Sequence, residues 1–340
     1  MRKLLNVLYI TRPNGYLKKD GLNLVVEADN EEIFRIPIHN IEGVVTFGYM
    51  GASPGAMKLC VDNKVSLAFH SPTGRFIARA QGPTHGNVLL RKRQYSLADD
   101  KDFAVELSRI MIAAKIQNYR NILRRAIRDN GPNNDLENAA KRLERHKDEV
   151  LKAENPQSIL GVEGIAANEY FGVLPHMIIQ QQKDFPFTGR TKHPPVGRVN
   201  VLLSYVYTLL SNEMTSALDA VGLDPYVGFL HTLRPGRASL ALDMMEELRA
   251  YLGDRLVLSL INRRQITPRD FIQQSEDSII LTDDGRKTII TAWQERKKTE
   301  ITHTYLNEKI PIGLLPHAQA MLMAKYLRGD LDNYPVFIIK

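Results

Sequence analysis

The chain has 340 residues, and its 45 Lys and Arg outweigh 38 Asp and Glu to give a formal net charge of +7. A hydrophobic content of 44% with 24% charged residues is ordinary for a globular protein and excludes a disordered chain. The single cysteine, Cys60, excludes an internal disulfide and any zinc site built on several cysteines, and it fits a reducing compartment.

The first hundred residues predict a small β domain. The apolar run at residues 4–10 is too short to span a membrane and lacks a cleavage site, so we expect a strand there and a cytoplasmic protein with no membrane partner. Short runs rich in Val, Ile, Phe and Tyr follow, separated by turn signals, which indicates a sandwich or split barrel. The predicted strands cover residues 4–10, 22–28, 33–38, 44–47, 65–70 and 76–80.

Helical periodicity replaces this pattern after Ser96. Residues 98–128 contain no Gly or Pro, and residues 199–221 have the wide apolar face of a buried helix. Further helices are predicted at residues 135–153, 163–171, 240–252, 268–274, 286–298 and 316–327. Because strands come first and helices follow, the predicted fold class is α+β, with a small N-terminal β-sandwich-like domain at residues 1–96 and a larger all-helical domain at residues 97–340.

Basic residues are concentrated in two blocks. Residues 64–98 carry six Lys or Arg and no acid, and residues 286–298 carry five against one acid. Such blocks are typical of surfaces that bind a phosphate backbone, but simple solubility explains the modest total equally well.

Two isolated groups in the helical region could take part in chemistry. Glu163 lies at the start of a predicted helix, where an acid also interacts favourably with the helix dipole. His231 follows an apolar run at residues 227–230, a setting in which a hydrogen-bonded structural histidine is the usual alternative. Neither residue indicates a function by itself.

Acidic residues also cluster at i, i+3 and i+4 on one face of a predicted helix, as Asp243, Glu246 and Glu247. Like charges at this spacing repel, so the alternatives are a solvated acidic face paired with Arg237 or Arg249 and a site that gathers a cation.

The combination of these groups predicts a metal site. Two carboxylates and an imidazole without cysteine suit Mg²⁺ or Mn²⁺, and the imidazole shifts the preference towards Mn²⁺. Cations beside such a site are what a metal-dependent reaction on a phosphodiester needs, so the residues indicate a metal-dependent enzyme that acts on nucleic acid. The basic residues in the same segments are Arg190, Lys192, Arg198, Arg234, Arg237 and Arg249.

Ordered motifs across nearly the whole chain resemble one family. They include IEGVV at residues 41–45, GNVLLR at 86–91, FTGR at 187–190, GFLH at 228–231, RASLALDMMEELR at 237–249 and PIGLLPH at 311–317. This series is similar to the CRISPR-associated spacer-acquisition integrases, the first of the core Cas proteins (Cas1), and the C-terminal part resembles the branch that accompanies type I-C systems.

The resemblance implies a metal-dependent DNA endonuclease and integrase of an antiviral defence system, which inserts short DNA fragments into a repeat array by transesterification. It implies a metal held by Glu163, His231 and Glu246, with Asp243 assisting through a second shell. Glu247 has no implied role, and we expect it to be a surface charge. His231 could instead be a proton-transfer group, an alternative that its neighbours leave open.

The resemblance also implies partners: double-stranded DNA, a second copy of the chain bound through the β domain, and the second core Cas protein (Cas2). Arg75 and Arg91 join the six basic residues above as predicted DNA contacts. The chain departs from the family at residues 196–198, where an acid is common, and at His193, where Arg is common. A basic DNA-binding protein without catalysis and a phosphohydrolase of small substrates are the alternative functions.

Overall fold

The computed structural model describes residues 7–12, 14–71, 76–80, 82, 88–192, 194–275 and 278–339. Its N-terminal strands are β1 (Val7–Ile10), β2 (Tyr16–Asp20), β3 (Asn23–Ala28), β4 (Glu31–Pro37), β5 (Gly43–Phe47), β6 (Ser66–His70) and β7 (Phe76–Ala80), with helix α1 (Pro54–Asp62) between β5 and β6. One sheet has the order β1-β5-β6-β7, parallel except for β7, and the other is the antiparallel β2-β3-β4.

Helices dominate the rest of the described chain. They are α2 (Val88–Asp99), α3 (Lys101–Asn130), α4 (Asn134–Val150), α5 (Pro156–Val173), α6 (Arg198–Val221), α7 (Ser239–Leu248), α8 (Arg255–Asn262), α9 (Asp283–Lys298) and α10 (Leu315–Arg328). A π-helical segment, Arg249–Asp254, joins α7 to α8. Two hairpins lie among them, β8 (Phe271–Ser275) with β9 (Ser278–Leu281) and β10 (Glu300–Thr302) with β11 (Lys309–Pro311).

The predicted fold class is confirmed, since small N-terminal sheets precede a larger helical region. The helix predicted at residues 268–274 is wrong: a 3₁₀ turn at Pro268–Asp270 leads into β8, which pairs with β9. The two hairpins also mean that the second region is not entirely helical. Helix α1 was not predicted, although Ser53 caps its N-terminus and Pro54 occupies its first position.

Helix α3 is the central element of the helical region. Asp100 caps its N-terminus by accepting hydrogen bonds from the backbone of Asp102 and Phe103. Gly131, with a φ of 96°, follows the last of its 30 residues. It packs against α4, α5 and α7, so these helices can present side chains to one another across its surface. No helix in the described part of the chain has the length and apolarity to cross a membrane.

The four-stranded sheet packs on α6 through polar as well as apolar contacts. Phe47 stacks on Tyr205 with ring centroids 6.0 Å apart. The side chain of Asn212 lies 2.5 Å from Nε2 of His70, and Arg79 pairs with Asp219. These contacts fix the sheet against the helix that also borders the site described below.

His70 makes this junction sensitive to acid. Burial lowers its pKa to about 4, whereas an unfolded histidine titrates near 6.5. Between these values the unfolded chain binds more protons, so stability is lost as pH falls from about 6.5 towards 4. We expect the free energy of unfolding in urea to be about 2 kcal/mol lower at pH 5 than at pH 7.5 from this group alone.

The comparison of His70→Gln with His39→Gln tests this prediction, because His39 is exposed. The drop in stability between pH 7.5 and pH 5 should shrink in His70→Gln and stay unchanged in His39→Gln. An identical drop in both variants would contradict the assignment.

Candidate catalytic site

Three helices bring two carboxylates and a lysine together. Glu163 comes from α5, Glu246 from α7 and Lys115 from α3. Helix α5 begins earlier than predicted, at Pro156, where the side chain of Asn155 accepts a hydrogen bond from the backbone of Ser158. Glu163 therefore lies two turns inside the helix, and its interpretation as an acid of the first turn is wrong.

Lys115 bridges the two acids. Its ammonium pairs with Oε1 of Glu163 and lies 2.7 Å from Oε2 of Glu246. The lysine side chain is 2% exposed, Glu246 is 4% exposed and Glu163 is 24% exposed. Sequence reasoning missed Lys115, although a lysine spaced three from Ile112 and four from Tyr119 interrupts the apolar face of α3 and was a signal.

Neighbouring side chains keep Glu246 charged. Burial by itself would raise the pKa of Glu246, but Arg249, Lys115 and His231 together lower it to about 2. Arg249 Nη1 lies 3.0 Å from Oε1 of the carboxylate. Oε2 is buried and, among the described residues, has the ion pair with Lys115 but no well-directed hydrogen bond.

Asp243 organises the loop that carries His231. Its fully buried carboxylate accepts hydrogen bonds from the backbone N–H of Phe229 at 2.7 Å, Leu230 at 3.0 Å and His231 at 3.0 Å. A Cβ on Gly228 would lie 2.5 Å from Oδ2 of Asp243 and 2.8 Å from the backbone of Ser239, so only glycine fits there. The carboxylate thus fixes three consecutive residues and packs closely against Gly228 before them.

The same carboxylate orients the imidazole. His231 Nδ1 lies 2.5 Å from Oδ1 of Asp243, so Nε2 is the nitrogen directed to a ligand or a reacting group. A histidine held in this way by a carboxylate is the usual arrangement of a metal-ligating histidine, in which the acid fixes the ring. Asp243 is therefore placed to position His231.

The interpretation of the acids of α7 as a solvated face is wrong, because all three are buried. Glu247 is not the surface charge that we expected: its carboxylate accepts hydrogen bonds from Tyr334 Oη at 2.5 Å, Gln319 Nε2 at 3.0 Å and the backbone N–H of Phe337 at 2.6 Å. Burial nevertheless raises the pKa of Glu247 to about 7. It anchors residues 334–337 to the helical region.

Three of the predicted basic residues lie around the cluster formed by Glu163, Glu246 and Lys115. Arg190 donates to Asn200 Oδ1 at 3.0 Å and to Ser204 Oγ at 2.9 Å. The guanidinium groups of Arg190 and Arg249 lie 5.5 and 5.1 Å from the centre of the Tyr207 ring. Burial, and then the charges of Arg249 and Lys115, lower the pKa of Lys192, so its ammonium lies within electrostatic reach of these two side chains.

The other predicted DNA contacts that the structure describes lie on separate elements. Arg198 donates to the backbone oxygen of Asp184 at 2.6 Å. Arg234 and Arg237 lie in the turn before α7, and Arg91 lies on α2. Arg75 and His193 lie outside the described residues.

The hydrogen bonds of Tyr207 and Asn200 hold the surroundings of the site in place. Tyr207 donates a hydrogen bond of 2.5 Å to Asp254, whose pKa is raised to about 6 by burial. Asn200 donates to the backbone oxygens of Gly189 and Val196, both at 2.9 Å, and so holds the loop that carries Lys192.

The donor set fits a hard divalent cation. Two carboxylates already surround a positive charge, Glu246 has a buried oxygen without a well-directed hydrogen bond, and the ring of His231 is fixed by an acid. In the side-chain arrangement seen over the described ranges, no three His, Cys, Asp or Glu residues already form a metal-holding group. Lys115 stands between the two carboxylates instead.

A family model and a curated relative both match this chain over most of its length. The family model described as CRISPR associated protein Cas1 matches residues 8–295. A CRISPR-associated endonuclease Cas1 from Chlorobaculum tepidum is 46% identical over 341 residues, covering 99% of each chain.

Solved structures show the same fold at lower identity. A casposase bound to its integration product is 22% identical, with a TM-score of 0.85 over 97% of this chain and 92% of its own. A chain of a Cas6-RT-Cas1–Cas2 complex is 23% identical, with a TM-score of 0.84 over 99% of this chain and 36% of its own.

Proposed function

The chain belongs to the Cas1 family of CRISPR-associated proteins, and from that membership we propose that it is a metal-dependent DNA endonuclease and integrase of CRISPR adaptation. The observation that carries this proposal is the pair Glu163 and Glu246 gathered around a cation beside a histidine that Asp243 orients. The Chlorobaculum tepidum relative is named an endonuclease and matches this chain over 99% of its length, which supports an enzymatic role for this chain.

Glu163, Glu246 and His231 would hold the metal ion, either Mg²⁺ or Mn²⁺. Carboxylate oxygens suit both ions, and an imidazole ligand favours Mn²⁺. When bound, the ion supplies Lewis-acid stabilisation of the negative charge that develops at a phosphodiester under attack.

The side chains around the site bind and orient the DNA. Lys192 and Arg249 supply positive charge beside the carboxylates, and Arg190 is held in place by Asn200 and Ser204. For strand transfer, the 3′-hydroxyl of a short fragment attacks the phosphodiester at the edge of a repeat: a new P–O bond forms, the P–O3′ bond of the repeat strand breaks, and the displaced 3′-oxygen takes up the proton that the attacking hydroxyl gives up. Water as the attacking group breaks the same bond and gives cleavage. Asp243 holds Nδ1 of His231 and so leaves Nε2 as the nitrogen that can act in both reactions.

We propose the following partners and organisation. Residues 1–96 form the domain that binds a second copy of the chain and contacts DNA, in part through Arg75 and Arg91. Residues 97–340 form the catalytic domain. Large apolar side chains on the N-terminal region support pairing of two copies: Leu22 is 68% exposed and Tyr49 is 77% exposed. The similar chain in a Cas1–Cas2 complex supports Cas2 as a further partner. Assignment to the type I-C branch stays a prediction.

A strand-transfer assay tests the function directly. The protein is incubated with a repeat-bearing plasmid, short labelled duplexes and Mn²⁺ or Mg²⁺, with and without a chelator. We expect labelled plasmid in the presence of metal and a fall of roughly 10³-fold with chelator, because metal stabilisation of the transition state is worth several kcal/mol.

The same assay separates the alternatives. A DNA-binding protein without catalysis would retain the duplexes equally well with chelator and never join them to the plasmid. A phosphohydrolase of small substrates would hydrolyse those substrates at the same rate with and without long DNA added as a competitor. Either result would contradict the proposal.

A further inference from the structure

The proposed metal site already contains a cation of the chain itself. The ammonium of Lys115 contacts both Glu163 and Glu246, and Arg249 contacts Glu246 at 3.0 Å. The formal charges of the two acids are therefore balanced by the lysine and the arginine. A divalent ion added to this arrangement would leave an excess of two positive charges.

Lys115 is built into this position by its surroundings. It projects from the middle of α3, its side chain is 2% exposed, and its ammonium lies 5.7 Å from the centre of the Tyr119 ring. Glu163 and Glu246 approach it from two other helices, α5 and α7. A buried ammonium with two carboxylate partners is well compensated, so removing it leaves an acidic pair that attracts another cation.

We propose that Lys115 is the resident counter-ion of Glu163 and Glu246 and that a divalent cation competes with it for these carboxylates. The inference rests on the proposed function and adds a consequence to it. Metal binding by the free protein is weak, and a DNA phosphate strengthens it because the phosphate balances the positive charge that the ion adds. By linkage, metal and DNA each raise the affinity for the other.

Other cations near the site act in the same direction. The charges of Arg249 and Lys115 lower the pKa of Lys192 after the effect of burial, so this ammonium lies within their electrostatic reach. Because Lys115 and Arg249 already balance Glu163 and Glu246, Lys192 adds an extra positive charge before any metal or DNA arrives. This surplus suits a site that is completed by phosphate, and it disfavours a metal ion that binds by itself.

Mn²⁺ binding without DNA tests the competition, measured by the electron paramagnetic resonance signal of free Mn²⁺. We expect Lys115→Met to bind Mn²⁺ about tenfold more tightly than the wild type, and Lys115→Arg to stay close to the wild type. Lys297→Met is the matched control, because Lys297 is also buried but pairs with Glu213 elsewhere. Its affinity for Mn²⁺ should be unchanged.

A second measurement covers the case in which Lys115→Met is unstable without metal. Mn²⁺ should then raise its melting temperature more than that of the wild type, since a tighter ligand stabilises the folded state more. A short duplex without a repeat should strengthen Mn²⁺ binding by the wild type more than by Lys115→Met.

Two results would overturn separate conclusions. Equal or weaker Mn²⁺ binding by Lys115→Met would refute the competition while leaving the metal-dependent function intact. The double variant Lys115→Met, Glu246→Gln gives the second test. If it binds Mn²⁺ as tightly as Lys115→Met alone, the ion does not use these carboxylates. That result would remove the proposed metal site itself.

Discussion

Replacement of Glu246 by Ala should reduce strand transfer at least about 10³-fold, because it removes a carboxylate that would hold the metal ion. The change also leaves Lys115 and Arg249 without their shared partner in a buried position, so the free energy of unfolding should fall by about 3–5 kcal/mol. Initial rates in the plasmid assay and urea unfolding measure the two effects separately.

Glu163→Ala and His231→Ala should lose activity in the same way with a smaller loss of stability, because both side chains are partly exposed. Glu169→Ala is a matched control on α5: that acid is 27% exposed and pairs with Arg142 at 2.7 Å. It should keep the wild-type rate. Full activity in any two of the Glu163, His231 and Glu246 variants would refute the assignment of the site.

The histidine variant also resolves its two possible roles. If His231 is a ligand, His231→Ala should weaken Mn²⁺ binding together with strand transfer. If it transfers a proton, the variant should bind Mn²⁺ normally and lose only the rate.

Long elements of the fold could be predicted because their apolar periodicity is a local property of the sequence. Helix α6 was predicted to within one residue at its start, and its apolar face is buried as expected. The helix predicted at residues 268–274 was wrong because the structure there is not a local property: β8 is a strand through its pairing with β9. Helix α1 is short and lies among strands, so its cap was outweighed by the surrounding β pattern.

The site shows a similar division. The residue types predicted a site of carboxylates and an imidazole, and the family resemblance implied Glu163, His231 and Glu246 as its members. Neither revealed which groups neutralise these acids. Lys115 lies 48 residues before Glu163, and nothing local links the two. Glu247 is a comparable case, because its partners Tyr334 and Phe337 lie about 90 residues away.

Asp243→Asn should reduce strand transfer roughly 10- to 100-fold, although Asp243 is not a proposed metal ligand. The carboxylate accepts three backbone hydrogen bonds and holds Nδ1 of His231. An asparagine amide has one acceptor oxygen, so its NH₂ group must face a donor. The loop and the imidazole should both lose their fixed orientation, and the unfolding free energy should fall by about 1–3 kcal/mol.

Glu247→Gln separates positioning from mere stability. Glu247 is equally buried on the same helix and accepts three hydrogen bonds, but none of them involves His231. The glutamine should therefore lower stability by a similar amount while keeping most of the rate and the Mn²⁺ affinity. Asp243→Asn should lose both, because the ring of His231 is no longer held through Nδ1. Equal losses of rate in the two variants would show that Asp243 stabilises the fold and does not position the histidine.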